Sequence, residues 1–253
     1  MSGRFQGRRA VVTGASRGIG AAIAEQLAAD GADVAIVART AEQHPTLAGS
    51  LATTAERMRA HGGKVAVIVA DLGSDTDRER IIPEAEQALG GPVEILVNNA
   101  AAAIYQPLAT YPLRRRKVVF EVNVHAPLDL AQAVIPGMAA AGEGWIVNVS
   151  SATGRMAFTQ DTARLGIYGA SKAALNQETL ALAKELSGTG IRVNTVEPRA
   201  GVLSEGAAAL VSLTEDQLEP MESMVAGALA LCDGPPELTG GIHVSLDLIG
   251  QSA

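Results

Sequence analysis

The stretch "VVTGASRGIGAAIAEQLA", residues 11–28, decides the fold. It passes from a short apolar run, through a glycine-rich turn, into a helical pattern in which Ile19, Ile23 and Leu27 recur at i, i+4 and i+8. A glycine turn between strand and helix lets the backbone approach an anion closely, and the helix N-terminus favours negative charge there. Gly14, Gly18 and Gly20 follow the spacing G-x-x-x-G-x-G rather than G-x-G-x-x-G. The physics is shared by both spacings, and it suits a pyrophosphate.

Outward from that turn, runs rich in Val and Ile recur at 9–14, 33–39, 64–71, 93–99, 144–150, 191–198 and 241–248. Most are continuous rather than alternating, the pattern of strands buried on both faces. Helical segments lie between them, one of which carries Leu175, Leu182 and Leu186 on a single stripe. This alternation predicts an α/β, doubly wound fold: a parallel seven-stranded sheet with helices on both faces and ligands beyond the C-terminal strand ends. No linker, repeat or composition break divides residues 1–253, so one domain is expected.

Composition narrows the function classes. The 253 residues are 47% hydrophobic and 19% charged, which reads as globular. A net charge of −7 argues against a nucleic-acid partner. "LRRRK" at 113–117 is the one basic cluster and reads first as a solvated helix face, second as a docking patch. Cys232 is the only cysteine, so no intrachain disulfide forms; this fits a reducing cytoplasm, and the thiol reads as packed. The N-terminus lacks the apolar core of a signal peptide, and no apolar run approaches the about 18 residues of a membrane span. A cytoplasmic protein without a membrane partner is expected. His125 and His243 lack partners at metal spacing, so no metal is expected.

The end of the second run bears on the cofactor. A protein preferring NAD presents a carboxylate there to the ribose 2′-hydroxyl. Here the sequence is "VARTAEQ" (37–43), and Asp33 stands at the opposite end of the run. Arg39, with Arg17 from the glycine turn, has the charge and geometry to pair a 2′-phosphate. NADP(H) is therefore favoured over NAD(H), while Arg17 reads equally well as an exposed side chain.

Two later stretches carry proton chemistry, "NVSSATG" (148–154) and "IYGASK" (167–172). Tyr168 and Lys172, at i and i+4, share one helix face. A carbonyl that receives a hydride needs a proton at its oxygen. Tyrosine, with an ordinary pKa of about 10, is a poor donor–acceptor until a nearby ammonium favours the phenolate. A serine hydroxyl at the same oxygen orients the substrate and stabilises developing charge. The Tyr–Lys pair alone is common on helix surfaces.

In order along the chain stand "TGASRGIG" (13–20), "ADL" (70–72), "NNA" (98–100), the Asn of "EVNVHAP" (121–127), "VSSATG" (149–154), "YGASK" (168–172) and "IRVNTVEP" (191–198). With these motifs the chain resembles the short-chain dehydrogenase/reductase family, in its compact single-domain branch, over about the first four-fifths of its length. The resemblance implies a Rossmann-type fold and an NAD(P)-dependent oxidoreductase acting on a carbonyl/secondary-alcohol pair. It implies Ser151, Tyr168 and Lys172 as the catalytic group, with Asn123 holding a water in the proton relay. For the cofactor it implies the turn residues Gly14, Ser16, Arg17, Gly18, Ile19 and Gly20. Arg39 would follow, then Asp71 on the adenine amino group beside Leu72. Asn98 and Ala100 would line the cleft, with Pro198, Tyr168 and Lys172 at the nicotinamide end. Ser151 is preferred over Ser150 because it lies three residues before Gly154, and strand alternation turns Ser150 the other way. A homodimer or homotetramer through 113–140 and 168–187 is also implied.

The chain departs from the family pattern in five places. Seventeen residues separate Ser151 from Tyr168, more than is usual, and the excess falls in 155–167, expected to form a pocket rim. Ala101 and Arg199 each stand where the family has glycine. Arg199 either meets a substrate carboxylate or turns outward. The lid, 203–219, is short, and the C-terminal "VSLDLIGQSA" lacks the usual Gly-Gly. Ala101 and Arg199 motivate a second reading, a nucleotide-binding regulatory or scaffold protein of the same fold. The family's larger sugar-nucleotide branch fits least, since its added substrate domain needs a longer chain.

Overall fold

The computed structural model describes residues 3–42, 49–160, 162–199, 201–202 and 218–250. Most of the lid and Asp161 of the long gap lie outside the described residues, as does the last part of the C-terminal segment. Elements alternate as the apolar runs predict. They are β1 (Arg9–Thr13), α1 (Gly18–Ala29), β2 (Asp33–Ala38), α2 (Leu51–Arg59), β3 (Val65–Val69), α3 (Asp75–Leu89) and β4 (Ile95–Asn98). There follow α4 (Leu113–Phe120), α5 (Ala126–Ala141), β5 (Gly144–Val149), α6 (Gly166–Glu185) and β6 (Ile191–Glu197). The chain continues through β7 (Gly201–Val202), β8 (Leu218–Glu219), α7 (Met221–Leu231), β9 (Ile242–Val244) and α8 (Ser245–Gly250).

Seven strands form one parallel sheet in the order β3-β2-β1-β4-β5-β6-β9, and β7 pairs with β8 in a separate small ladder. The order reverses between β1 and β4, and a crevice opens above the C-terminal ends of strands at such a switch point. Each central strand feeds two cores. Ala10, Val12, Val34 and Ile36 face α1, α2 and α7, whereas Val11, Ala35, Val37 and Leu96 face α3 and α5. Burial on both faces is why these runs read as continuous rather than alternating.

Two expectations change. The seventh run was expected as a strand over 241–248, but only Ile242–Val244 pairs and Ser245 starts a helix. The alternation in "VSLDLI" mimics a strand; Ser245 and Leu248, at i and i+3, are the residues the helix buries. The second concerns length. The helical run from Leu113 to Ala141 is long and apolar enough to match a membrane span by composition. Its α5 half nevertheless packs Leu130, Val134 and Met138 into the core, and it opens on exposed Arg114–Lys117.

Candidate active site

The glycine turn is held by a residue that motif reading passed over. Asn99 donates its side-chain amide to the carbonyls of Thr13 (3.0 Å) and Gly14 (3.3 Å). Thr13 Oγ1 accepts from the backbone N–H groups of Asn99 and Ala100. Gly14 has φ +68°, and a Cβ on it would stand 2.8 Å from Ala100 Cα. A Cβ on Gly20 would stand 2.2 Å from Asn99 Nδ2. Both glycines are thus required by close approach, and the turn is a fixed cradle. Asn98 itself is buried, bonded to Asn148 (2.9 Å) and to the Pro127 carbonyl (3.3 Å). The pair "NN" divides its work because successive strand residues face opposite ways.

At the C-terminal ends of β2 and β3, Arg39 is exposed just beyond β2, and Asp71 is exposed just beyond the neighbouring β3. Asp71 accepts from the Gly73 N–H (3.0 Å), and Leu72 beside it is buried. Asp33 accepts from the Lys64 N–H (2.7 Å) at the other end of β2. Arg17, extended at the start of α1, donates to the Gly49 carbonyl (3.2 Å), which brings residues 49–50 against the glycine turn.

At the opposite end, β5 delivers Ser151 and α6 delivers Tyr168 and Lys172. Ser151 caps a short turn, Ala152–Gly154, accepting from the Thr153 N–H (3.3 Å) and hydroxyl (2.9 Å). Its side chain also lies beside the Tyr168 hydroxyl and pulls that phenol down. Lys172 is 2% exposed and donates to the Val149 carbonyl (2.7 Å), its one hydrogen-bond partner among the described residues, with Nζ 5.8 Å from the centre of the Tyr168 ring. Asn123 lies in a single π-helical turn, Glu121–His125, joining α4 to α5. Such turns often mark functional positions. Its side chain exchanges hydrogen bonds with Ala102 (2.7 and 3.2 Å) and donates to Ser171 (3.0 Å), which donates to the Tyr168 carbonyl (2.7 Å).

Burial sets the electrostatics. It pushes the Tyr168 phenol up, as does the nearby Tyr105, against an opposing pull from the Ser151 side chain. It also lowers Lys172 to about 8. Helical spacing predicts a Tyr168 eased towards its phenolate by Lys172. In this chain burial raises the phenol, while the Lys172 Nζ is bonded to the Val149 carbonyl. Tyr168 is consequently held as a phenol, a proton donor, at neutral pH.

A nicotinamide dinucleotide fits these residues. Gly14 and Gly18, both at positive φ, carry the tight turn into the N-terminus of α1, and Lys172 spends one of three N–H groups on protein. Residues 8–212 match the family model "short chain dehydrogenase". The chain belongs to that family. It is 34% identical over 192 residues to the ketoacyl reductase HetN of Nostoc sp., covering 76% of this chain and 63% of that protein. It is 30% identical to the bovine (Bos taurus) hydroxysteroid dehydrogenase-like protein 2, over 99% of this chain and 59% of that protein. The chain therefore spans only about three-fifths of these curated relatives' length. Among solved structures, a short-chain dehydrogenase from Burkholderia cenocepacia in complex with NADP superposes with a TM-score of 0.82 at 31% identity, covering 95% of this chain and 97% of that one. One from Mycobacterium thermoresistibile gives 0.87 at 28% identity, covering 98% and 88%.

Within this short-chain dehydrogenase the departures acquire places. The long gap folds back on the loop after β4: Gln106 N–H donates to the Arg164 carbonyl (3.1 Å), and Thr159 and Thr162 tie off its middle. Phe158 reaches Gly169, where a Cβ would stand 3.0 Å from its ring. Its first residue, Arg155, pairs with Glu197, whose side chain is wholly buried at the end of β6. The serine turn and α6 therefore meet despite the added length. Ser150 is buried, as strand alternation requires.

Ala101 carries no strain, because every positive φ among the described residues belongs to glycine. Arg199 pairs with Asp247, both more than half exposed, so its side chain turns outward to α8. Both motives for a regulatory reading are thereby weakened. Cys232 is buried and its thiol is pushed up by burial, which suits packing rather than nucleophilic chemistry. His125 is exposed, and His243 meets Asn194 (3.2 Å) with its pKa lowered by burial.

Proposed function

We propose that this chain is an NADP(H)-favouring oxidoreductase that interconverts a carbonyl and a secondary alcohol. The observation that carries this reading is the grouping of half-buried Ser151 and Tyr168 with buried Lys172, beside a glycine turn that tolerates no added Cβ. The nicotinamide, when bound, supplies or accepts the hydride. Ser151 orients the reacting oxygen, and Thr153 fixes the direction of that serine. Tyr168 gives its phenolic proton to the oxygen as the carbonyl is reduced, and takes it back in the reverse direction. Lys172 binds the nicotinamide ribose and, as an ammonium, steadies the phenolate left on Tyr168. Asn123 acts by holding Ala102 and Ser171 on either side of this relay.

Arg39 is the residue to which we assign the 2′-phosphate, with Asp71 on the adenine. NADP in the Burkholderia cenocepacia structure supports nicotinamide chemistry. A second copy of the chain is the partner we expect across α4 and α5, whose exposed Arg114–Lys117 face suits a polar interface rim.

Replacing Tyr168 with Phe tests the central role. Turnover of ketones with NADPH should fall by about 10²–10⁴ while NADPH fluorescence titrates as in the parent. In the parent, reduction should be level below pH 8 and decline above it, since Lys172, lowered to about 8, loses its proton there. Turnover retained by Tyr168→Phe sinks the proposal.

A further inference from the structure

Tyr105 lies on the loop after β4, a position that no motif singles out. Its ring meets the Tyr168 ring edge to face, with centroids 5.6 Å apart and planes inclined at 73°. The loop beneath it is fixed at alternate residues. Ala102 is bound by Asn123, Ile104 accepts from the Tyr111 hydroxyl (2.8 Å), and Gln106 is bound by Arg164. Three tethers at 102, 104 and 106 leave the intervening ring little freedom, and one of them comes from the inserted segment.

The hydroxyl at the end of that ring has no hydrogen-bond partner among the described residues. Burial pushes the Tyr105 phenol up, so it carries its proton throughout the neutral range. It is half-buried, pre-positioned against the catalytic ring, and a donor without an acceptor. Because it is not among the buried atoms left unpaired, this hydroxyl reaches solvent and is open to an acceptor brought by a ligand. Tyr111, on the same segment, gives its hydroxyl to Ile104 and is thereby spent on structure. Tyr105 is not.

We propose that Tyr105 is a second hydrogen-bond donor of the substrate site, specific for a carbonyl substrate bearing another acceptor oxygen within two carbons of the reacting centre. This rests on the oxidoreductase reading above. Tyr168 takes the reacting oxygen, and Tyr105, one ring's breadth away, takes the neighbouring one. A site that hydrogen-bonds a substrate oxygen discriminates against the analogue lacking it, because its donor is then left unpaired.

The test compares 2,3-pentanedione and ethyl acetoacetate with 2-pentanone, using NADPH and the full chain. In the parent, kcat/KM should favour at least one of the dioxygenated ketones. Tyr105→Phe removes only the hydroxyl and should reduce that preference about tenfold. Reduction of 2-pentanone should change less than that of the dioxygenated ketones, with whatever change there is coming through Tyr168, and NADPH affinity should stay at the parent value. An unchanged preference in Tyr105→Phe overturns the proposal. So does a change in NADPH affinity, which would place the hydroxyl on the cofactor. No preference in the parent, or no turnover of any of the three ketones, overturns it as well. Tyr168→Phe run alongside separates the two levels. If that variant stays active, or if the parent binds no NADPH, it is the oxidoreductase reading that falls.

Discussion

The two ends of the crevice are built differently. At the end we assign to the cofactor, the form is set by backbone: Gly14 and Gly20 lie so close to Asn99 and Ala100 that no side chain fits between them. At the end we assign to the substrate it is set by side chains on long loops, Tyr105 and Phe158 among them, joined by a backbone bond between Gln106 and Arg164. Backbone cradles tolerate no substitution, so they leave fixed motifs. Side-chain walls tolerate many, and loops carry specificity on a rigid scaffold.

Replacing Gly20 with Ala strikes the cofactor end hardest. Its Cβ would lie 2.2 Å from Asn99 Nδ2 and 2.6 Å from the Gly14 carbonyl, so the turn must open. Overpacking costs about 1–3 kcal/mol, and NADPH affinity should fall by up to about a hundredfold, measured by fluorescence titration. Affinity equal to the parent's would show that the cradle is softer than its contacts suggest.

Arg39→Ala sharpens the same end without moving backbone. Arg39 is exposed beyond β2 and makes no hydrogen bond or ion pair among the described residues, which leaves it open to the 2′-phosphate we assign to it. NADPH binding should weaken about tenfold and NADH binding should not change. An equal loss for both dinucleotides would remove Arg39 from the 2′-phosphate.

This asymmetry explains what was legible. The continuous Val/Ile runs and the glycine turn gave the seven strands and their parallel order, because both-face burial and close backbone approach restrict residue type directly. Ser151, Tyr168 and Lys172 were legible as a set, and the structure brings them together. The direction in which burial moves Tyr168 was not, since desolvation depends on everything packed around the ring. Nor was Asn99, masked by the equal identity of Asn98, although two adjacent asparagines on one strand must face opposite sides. The helix at Ser245–Gly250 was lost to a chance alternation. Arg155 and Glu197 stand forty-two residues apart, and nothing local marks either as the other's partner.

That last pair offers the smallest expected effect and the cleanest contrast with Gly20. Glu197 is wholly buried and, among the described residues, one of its oxygens has no partner and half-exposed Arg155 supplies its only ion pair. Arg155→Ala would leave a buried carboxylate unpaired, at a cost of about 1–3 kcal/mol. For a chain of this size that is a fall in melting temperature of several degrees, about 2–4 °C per kcal/mol. The loss should fall on the substrate end. NADPH affinity should remain at the parent value, while kcat drops as the turn from Ser151 to Arg155 loosens. A double variant, Arg155→Met with Glu197→Leu, replaces the pair by apolar side chains and should recover the melting temperature. If it recovers kcat as well, the pair serves only stability. If kcat stays low, the charge pair is what aims Ser151.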